Sequence, residues 1–81
     1  MKATVLVRPK GGILDPQGEA VERSLRQLGF EVGDARVGRV IDLEVDAASV
    51  GEARAQVERM CERLLANPLI ESYEIELADG V

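Results

Sequence analysis

The sequence predicts an α+β domain related to the ferredoxin-like folds, with two helices packed on one face of a mainly antiparallel sheet that dimerisation extends. Three observations carry that reading. Apolar residues alternate with period two near the start, in the middle and at the end of the chain, the mark of strands with one buried face. Between them lie two stretches of helical period, each opened by a capping residue and closed by a residue that stops a helix. No repeat or linker interrupts this order, so residues 1–81 read as one domain.

Ala3 to Arg8 is rich in aliphatic and β-branched side chains and ends at Pro9, which cannot continue a ladder. Ala3, Val5 and Val7 share one face, while Thr4, Leu6 and Arg8 make the other face mixed. A helix follows, with Asp15 as its N-cap, Pro16 in the first helical position and Gly29 as its stop. Its stripe of Val21, Leu25 and Leu28, widened by Ala20 and Ser24, is expected to pack on the sheet. Gly18 in the first turn weakens that helix by about 1 kcal/mol relative to Ala, which makes sense where something must approach the backbone.

Asp34 to Val45 reads as strand, with Ala35, Val37, Ile41, Leu43 and Val45 on one parity and Arg39 as the interruption. Val37-Gly38-Arg39-Val40 lacks the chemistry of a tight hairpin, so Gly38 suits a bulge or bend in one long strand. Two shorter strands turning at Gly38 would instead give a βαββαβ order. One strand of this length, at about 3.3 Å per residue, would reach roughly 40 Å. A compact chain of this size has a radius of gyration near ~12 Å, so one end would protrude and need pairing from another subunit. The second helix opens on the capping box Ser49-Val50-Gly51-Glu52, carries Val50, Ala53, Val57, Met60, Cys61 and Leu64 as its apolar stripe, and ends at Asn67-Pro68. A last strand runs from Leu69 to Leu77 with Tyr73, Ile75 and Leu77 on one face, and Ala78 to Val81 reads as a fraying tail.

Composition removes several function classes. The net charge of −5 opposes binding to nucleic acid or anionic lipid, and Phe30 and Tyr73 are too few aromatic residues for a base-stacking platform. There is no histidine, so the usual His-containing triads and zinc sites cannot be built, and one cysteine makes neither a disulfide within the chain nor a metal site. Cys61 sits on an apolar stripe and reads as core. Asp15 and Asp42 form no catalytic pair, because the first is a helix cap and nothing brings them together. No catalytic, metal or cofactor residue is therefore assigned to this chain. Met1 to Arg8 is too short an apolar run for a signal peptide or a membrane span, so a cytoplasmic location is expected.

The segment Pro9-Lys10-Gly11-Gly12-Ile13-Leu14-Asp15-Pro16-Gln17-Gly18 is unusual, because it sets two large apolar residues in a connection bounded by Gly and Pro. Three readings stay open for it: a plain turn, a docking loop for a protein, or a phosphate cradle. The last is the weakest, since Lys10 precedes the glycines instead of closing the loop. Arg36 and Arg39 are ion-paired or solvated in the simplest reading, or carry positive charge to an acidic partner, in which case charge reversal weakens assembly. Asn67 is first a helix stop.

Taken with Leu28-Gly29-Phe30 and with Met60-Cys61-Glu62-Arg63-Leu64-Leu65-Ala66-Asn67-Pro68-Leu69-Ile70-Glu71, that segment closely resembles the small PurS-type subunit of phosphoribosylformylglycinamidine synthase, over essentially the whole chain. The resemblance implies a non-catalytic subunit of a purine-biosynthesis ligase. In it a glutaminase subunit releases ammonia, a large subunit binds ATP, magnesium and substrate, and this chain bridges the two. It also favours the docking reading of the loop. The expected partner interface is Lys10, Gly11, Gly12, Ile13, Leu14, Asp15, Gln17, Gly18, Arg36, Gly38, Arg39 and Asn67. A homodimer, paired to a tetramer when isolated, is expected. The alternative of another class is a dimeric domain that senses a small molecule at its seam, and a stand-alone enzyme is the least supported by the residue inventory.

Overall fold

The computed structural model describes residues 1–78, so most of the tail read above as fraying lies outside the described residues. Three strands and two helices alternate in the order β1 (Lys2–Pro9), α1 (Pro16–Gln27), β2 (Arg39–Glu44), α2 (Val50–Met60) and β3 (Glu71–Ala78), with α2 prolonged by a wider turn over Cys61–Leu65. The sheet order is β2-β1-β3, antiparallel throughout. The α+β class with two helices and an antiparallel sheet is the one the sequence predicts.

Register explains the core. Val5 lies opposite Ile41 on one side and Ile75 on the other, and Ala3 lies between Leu43 and Leu77. Side chains of one parity thus gather on one face, where α2 lays Ala53, Val57 and Cys61 at i, i+4 and i+8. Ala3, Val5, Val7, Val45, Ala53, Val57, Cys61 and Ala66 are buried, and they are mostly small. The opposite face carries no helix. It is mixed: the Thr4 hydroxyl donates to Asp42 Oδ1 at 3.0 Å and Arg8 pairs with Glu74 at 3.3 Å, while Leu6 lies opposite Val40 between them.

Helix ends follow local chemistry. The Gly18 N–H donates to Asp15 Oδ1 at 3.1 Å, capping α1. At its other end Gly29 has φ +96°, the Phe30 N–H reaches the Leu25 carbonyl and the Gly29 N–H reaches that of Arg26, a Schellman closure only glycine enters without strain. In α2 the Glu52 N–H donates to Ser49 Oγ, while the Glu52 carboxylate accepts from the Ala48 N–H, one residue earlier than in the simplest capping box. The Ala66 N–H bonds back to the Cys61 carbonyl, an i→i+5 closure, before Pro68 forbids another helical turn.

Several expectations need correction. The second strand is paired only from Arg39, half the length read from the sequence, although burial keeps its alternation through Ala35 and Val37. Gly38 makes no reversal. A Cβ there would run into the Val7 carbonyl, so the glycine admits a close backbone approach where β2 begins to pair. No fourth strand appears among the described residues, and the hairpin alternative falls with it. Nor does the stripe of α1 settle on the sheet: Val21 is exposed and Leu28 is 73% exposed. The reason is a tether described below, which holds α1 beyond the end of the strands. Val50, Met60 and Leu64 likewise stay exposed, because only one side of α2 meets the sheet. The last strand starts at Glu71, with 68–70 in a turn. The radius of gyration is 15.9 Å with extents of 50 × 29 × 14 Å, well above the compact value.

Candidate docking surface

All three strands meet at one end of the sheet: Pro9 closes β1, Arg39 opens β2 and Glu71 opens β3. The 10–15 loop and the 66–70 turn converge there. The Lys10 N–H donates to the Ile70 carbonyl at 2.9 Å, and the Lys10 ammonium donates to the Pro68 carbonyl at 2.6 Å. Within the loop, the Ile13 N–H returns to the Lys10 carbonyl, and Gly12 takes φ +83°, a conformation that a side chain would strain. Gly11 and Gly12 face open space, so room for a ligand is not what selects them.

Arg36 clasps the loop from the other side. Its guanidinium donates to the Ile13 carbonyl at 2.9 Å and the Lys10 carbonyl at 3.0 Å, with Asp34 at 3.6 Å balancing the charge. Asp15 joins the same three strips of chain. One oxygen caps α1 at Gly18, and the other accepts from the Val37 N–H at 2.8 Å. These two backbone donors, aided by the Arg36 charge, hold the Asp15 carboxyl below its ordinary value. Gly18 is buried because the Ala35 carbonyl passes where a Cβ would stand.

A second clasp fixes the turn. Arg39 meets the Glu71 carboxylate through both its terminal nitrogens, at 2.7 and 3.1 Å, and also donates to the Leu65 carbonyl that ends the α2 extension. Glu71 further accepts from the Asn67 N–H at 2.7 Å, and Asn67 Oδ1 accepts from the Leu69 N–H. Arg39 and the Asn67 N–H together lower the Glu71 carboxyl, and Glu71 raises the Arg39 guanidinium. Two rigid loops result, and they point apolar side chains outward: Leu14 is 79% and Leu69 83% exposed, with Ile70 partly so.

The geometry therefore brings most of the expected interface residues to one place, in two roles. Lys10, Gly11, Gly12, Ile13 and Leu14 form the loop, and exposed Gln17 stands beside it on α1. Asp15, Gly18, Arg36, Gly38, Arg39 and Asn67 support it through contacts inside the chain. The cations here are aimed at the chain's own carbonyls, which leaves a phosphate cradle without its donors. Sequence reasoning missed Glu71 and the pair Leu69 and Ile70. The pair had a signal, since two large apolar residues following Asn67-Pro68 repeat the oddity of Ile13 and Leu14. Among the described residues no group of three or more His, Cys, Asp or Glu side chains could hold a metal, and no helix is long and apolar enough to cross a membrane.

A family model described as PurS, phosphoribosylformylglycinamidine (FGAM) synthase, matches residues 2–79. The phosphoribosylformylglycinamidine synthase subunit PurS of Methanocaldococcus jannaschii is 39% identical over 77 residues, covering 94% of this chain and 93% of that protein. The fold is shared with Bacillus subtilis PurS at a TM-score of 0.86 and 39% identity, covering 96% and 98% of the two chains. It also matches a chain in the structure of PurLQS from Thermotoga maritima at a TM-score of 0.85 and 39% identity, with 93% of each chain covered.

Proposed function

The chain belongs to the PurS family, and on that premise we propose that its clasped loops dock it between the glutaminase subunit and the large ATP-dependent subunit of phosphoribosylformylglycinamidine synthase. It is a subunit of that enzyme, an ATP-dependent, glutamine-using carbon–nitrogen ligase complex of purine biosynthesis. The physical contribution of this chain is register: it holds two catalytic subunits so that ammonia released at one site crosses to the other without escaping to water. ATP and magnesium act on the large subunit. The chain works as a homodimer in the cytoplasm. Family membership leaves the small-molecule-sensing alternative unsupported.

The observation that carries this reading is the pair of exposed leucines, Leu14 and Leu69, on loops immobilised by two arginine clasps. A solvent-facing leucine on a rigid frame loses little conformational entropy when a partner covers it, which is what a docking contact needs. The test is reconstitution of the large and glutaminase subunits with and without this chain. Glutamine-dependent product formation should require it, while formation from added ammonia should persist without it. Equal glutamine-dependent rates in both mixtures would overturn the proposal.

A further inference from the structure

Strand β3 pairs with β1 alone, so its other side is an edge of the sheet. Which of its backbone groups face outward follows from the ladder. The Lys10 N–H donates to the Ile70 carbonyl, in register with Arg8 opposite Ser72, so hydrogen-bonded pairs between β1 and β3 fall at every second residue from there. Ser72, Glu74 and Glu76 therefore turn their N–H and C=O groups toward β1, and Tyr73, Ile75 and Leu77 turn theirs outward. The other side of β1 agrees: Met1 and Val45 bond to each other in both directions, which commits the odd residues of β1 to β2 and leaves its even residues for β3.

Edge strands are normally blunted by proline, a bulge or an inward charge. Residues 71–78 have no proline, keep an unbroken register, and present only Tyr73, Ile75 and Leu77 on the helix side. Beside this edge, a groove of ≈390 Å³ opens between Tyr73 and the flank of α2, with Ala55 at its wall and the opposed charges of Glu58, Glu62, Arg59 and Arg63 around it. The Tyr73 hydroxyl donates to Glu62 at 2.9 Å and fixes the ring there. On the bare face the edge is acidic. Glu74 is shared with Arg8, and Glu76 has no ion pair among the described residues.

We propose that the outer edge of β3 takes an added strand: an extended segment of about five residues from another subunit of the synthase, with Lys or Arg at the alternate positions facing Glu74 and Glu76 and apolar residues between them. Main-chain bonds to Tyr73, Ile75 and Leu77 hold it, and the groove beside Tyr73 receives one of its apolar side chains. A second copy of β3 fits poorly. Pairing all three outward residues of each strand about a two-fold sets Glu74 opposite Glu76 twice, like charges face to face. The edge also continues directly from Leu69 and Ile70 of the docking end, so a segment lying on it prolongs that contact. The inference rests on the docking reading of the proposed function.

The experiment reconstitutes the synthase with this chain ¹⁵N-labelled, exchanges it into D₂O, quenches in dimethyl sulfoxide, and reads single amides against the isolated chain. On assembly the amides of Tyr73, Ile75 and Leu77 should slow at least tenfold more than those of Ser72, Glu74 and Glu76, an alternation that plain coverage of a face does not give. Equal slowing of the two sets would overturn the added strand. So would outward amides already slow in the isolated chain, since a second copy would then hold the edge. Glu76→Lys, at an exposed position, should keep the circular dichroism of the chain and weaken its binding to the other subunits at least fivefold at low salt, with the difference shrinking as salt rises. Unchanged binding would overturn the basic occupant. A chain needed for glutamine-dependent turnover whose edge amides stay fast would end this inference alone, whereas a chain that never joins the complex would end the docking reading with it.

Discussion

Gly18 and Asp15 show how much of this fold hangs on single positions. On helix propensity alone Gly18→Ala should stabilise α1 by about 1 kcal/mol. The Ala35 carbonyl occupies the Cβ position, so we expect the opposite: a destabilisation of roughly 1–3 kcal/mol as the tether between α1 and the 35–37 stretch shifts, seen as a lower Tm. A higher Tm would show that the contact yields freely. Asp15 adds a pH signature. Its folded carboxyl lies below the ordinary 3.8 and that of Glu71 below the ordinary 4.5, so both contributions are complete above those values and are lost as pH falls through the lower folded ones. Thermal melts should hold steady above pH 4.5 and decline below pH 3.8. Asp15→Asn should lower the melt at neutral pH and flatten that acid decline; an unaltered acid limb would assign the decline to other carboxyls.

At the scale of elements, the Arg39–Glu71 clasp binds β2, β3 and the end of α2 into one frame. Because Arg39 is half exposed, the pair is screened, and Arg39→Gln should cost only about 1 kcal/mol while loosening the 66–70 turn. Amide hydrogen exchange should quicken at Leu69 to Glu71 and leave Val5 and Val57 protected. Exchange rising evenly through the sheet would contradict a local latch. What sequence reading recovered and missed follows the same division. β1, the α2 caps, the α1 Schellman glycine and the facing of Tyr73, Ile75 and Leu77 are set by local period and capping chemistry, and these were legible. The paired length of the second strand was not, because alternation at Ala35 and Val37 persists whether or not a neighbour strand is present. Likewise the stripe of α1 announces an apolar face without saying whose surface covers it. Arg36 and Arg39 read most simply as ion-paired or solvated charges, and both are engaged by the chain's own carbonyls and carboxylates; which groups engage them is what the spacing of residues cannot reveal.

The whole molecule is a small core with long open surfaces. Its fully buried large side chains are Val5, Val7, Val57 and Cys61, whereas its leucines at 14, 28, 64 and 69 face solvent. An 81-residue chain typically buries only about 60% of its unfolded surface or a little more, so a distribution of this kind suits a subunit finished by its neighbours better than a solitary domain. Val57→Ala, which leaves a void under α2, should cost roughly 2–3 kcal/mol and lower Tm at any protein concentration, unlike changes on the open surfaces, whose effect should grow on dilution. The docking end separates cleanly from both. Leu14→Asp and Leu69→Asp alter side chains that touch solvent and should leave the isolated chain folded. The most direct measurement is therefore the ratio of glutamine-dependent to ammonia-dependent product formation in the reconstituted synthase carrying both substitutions. The account predicts that this ratio falls at least tenfold while the ammonia-dependent rate is kept, equivalent to about 1.4 kcal/mol of lost docking. A ratio unchanged at subunit concentrations that limit assembly would contradict it.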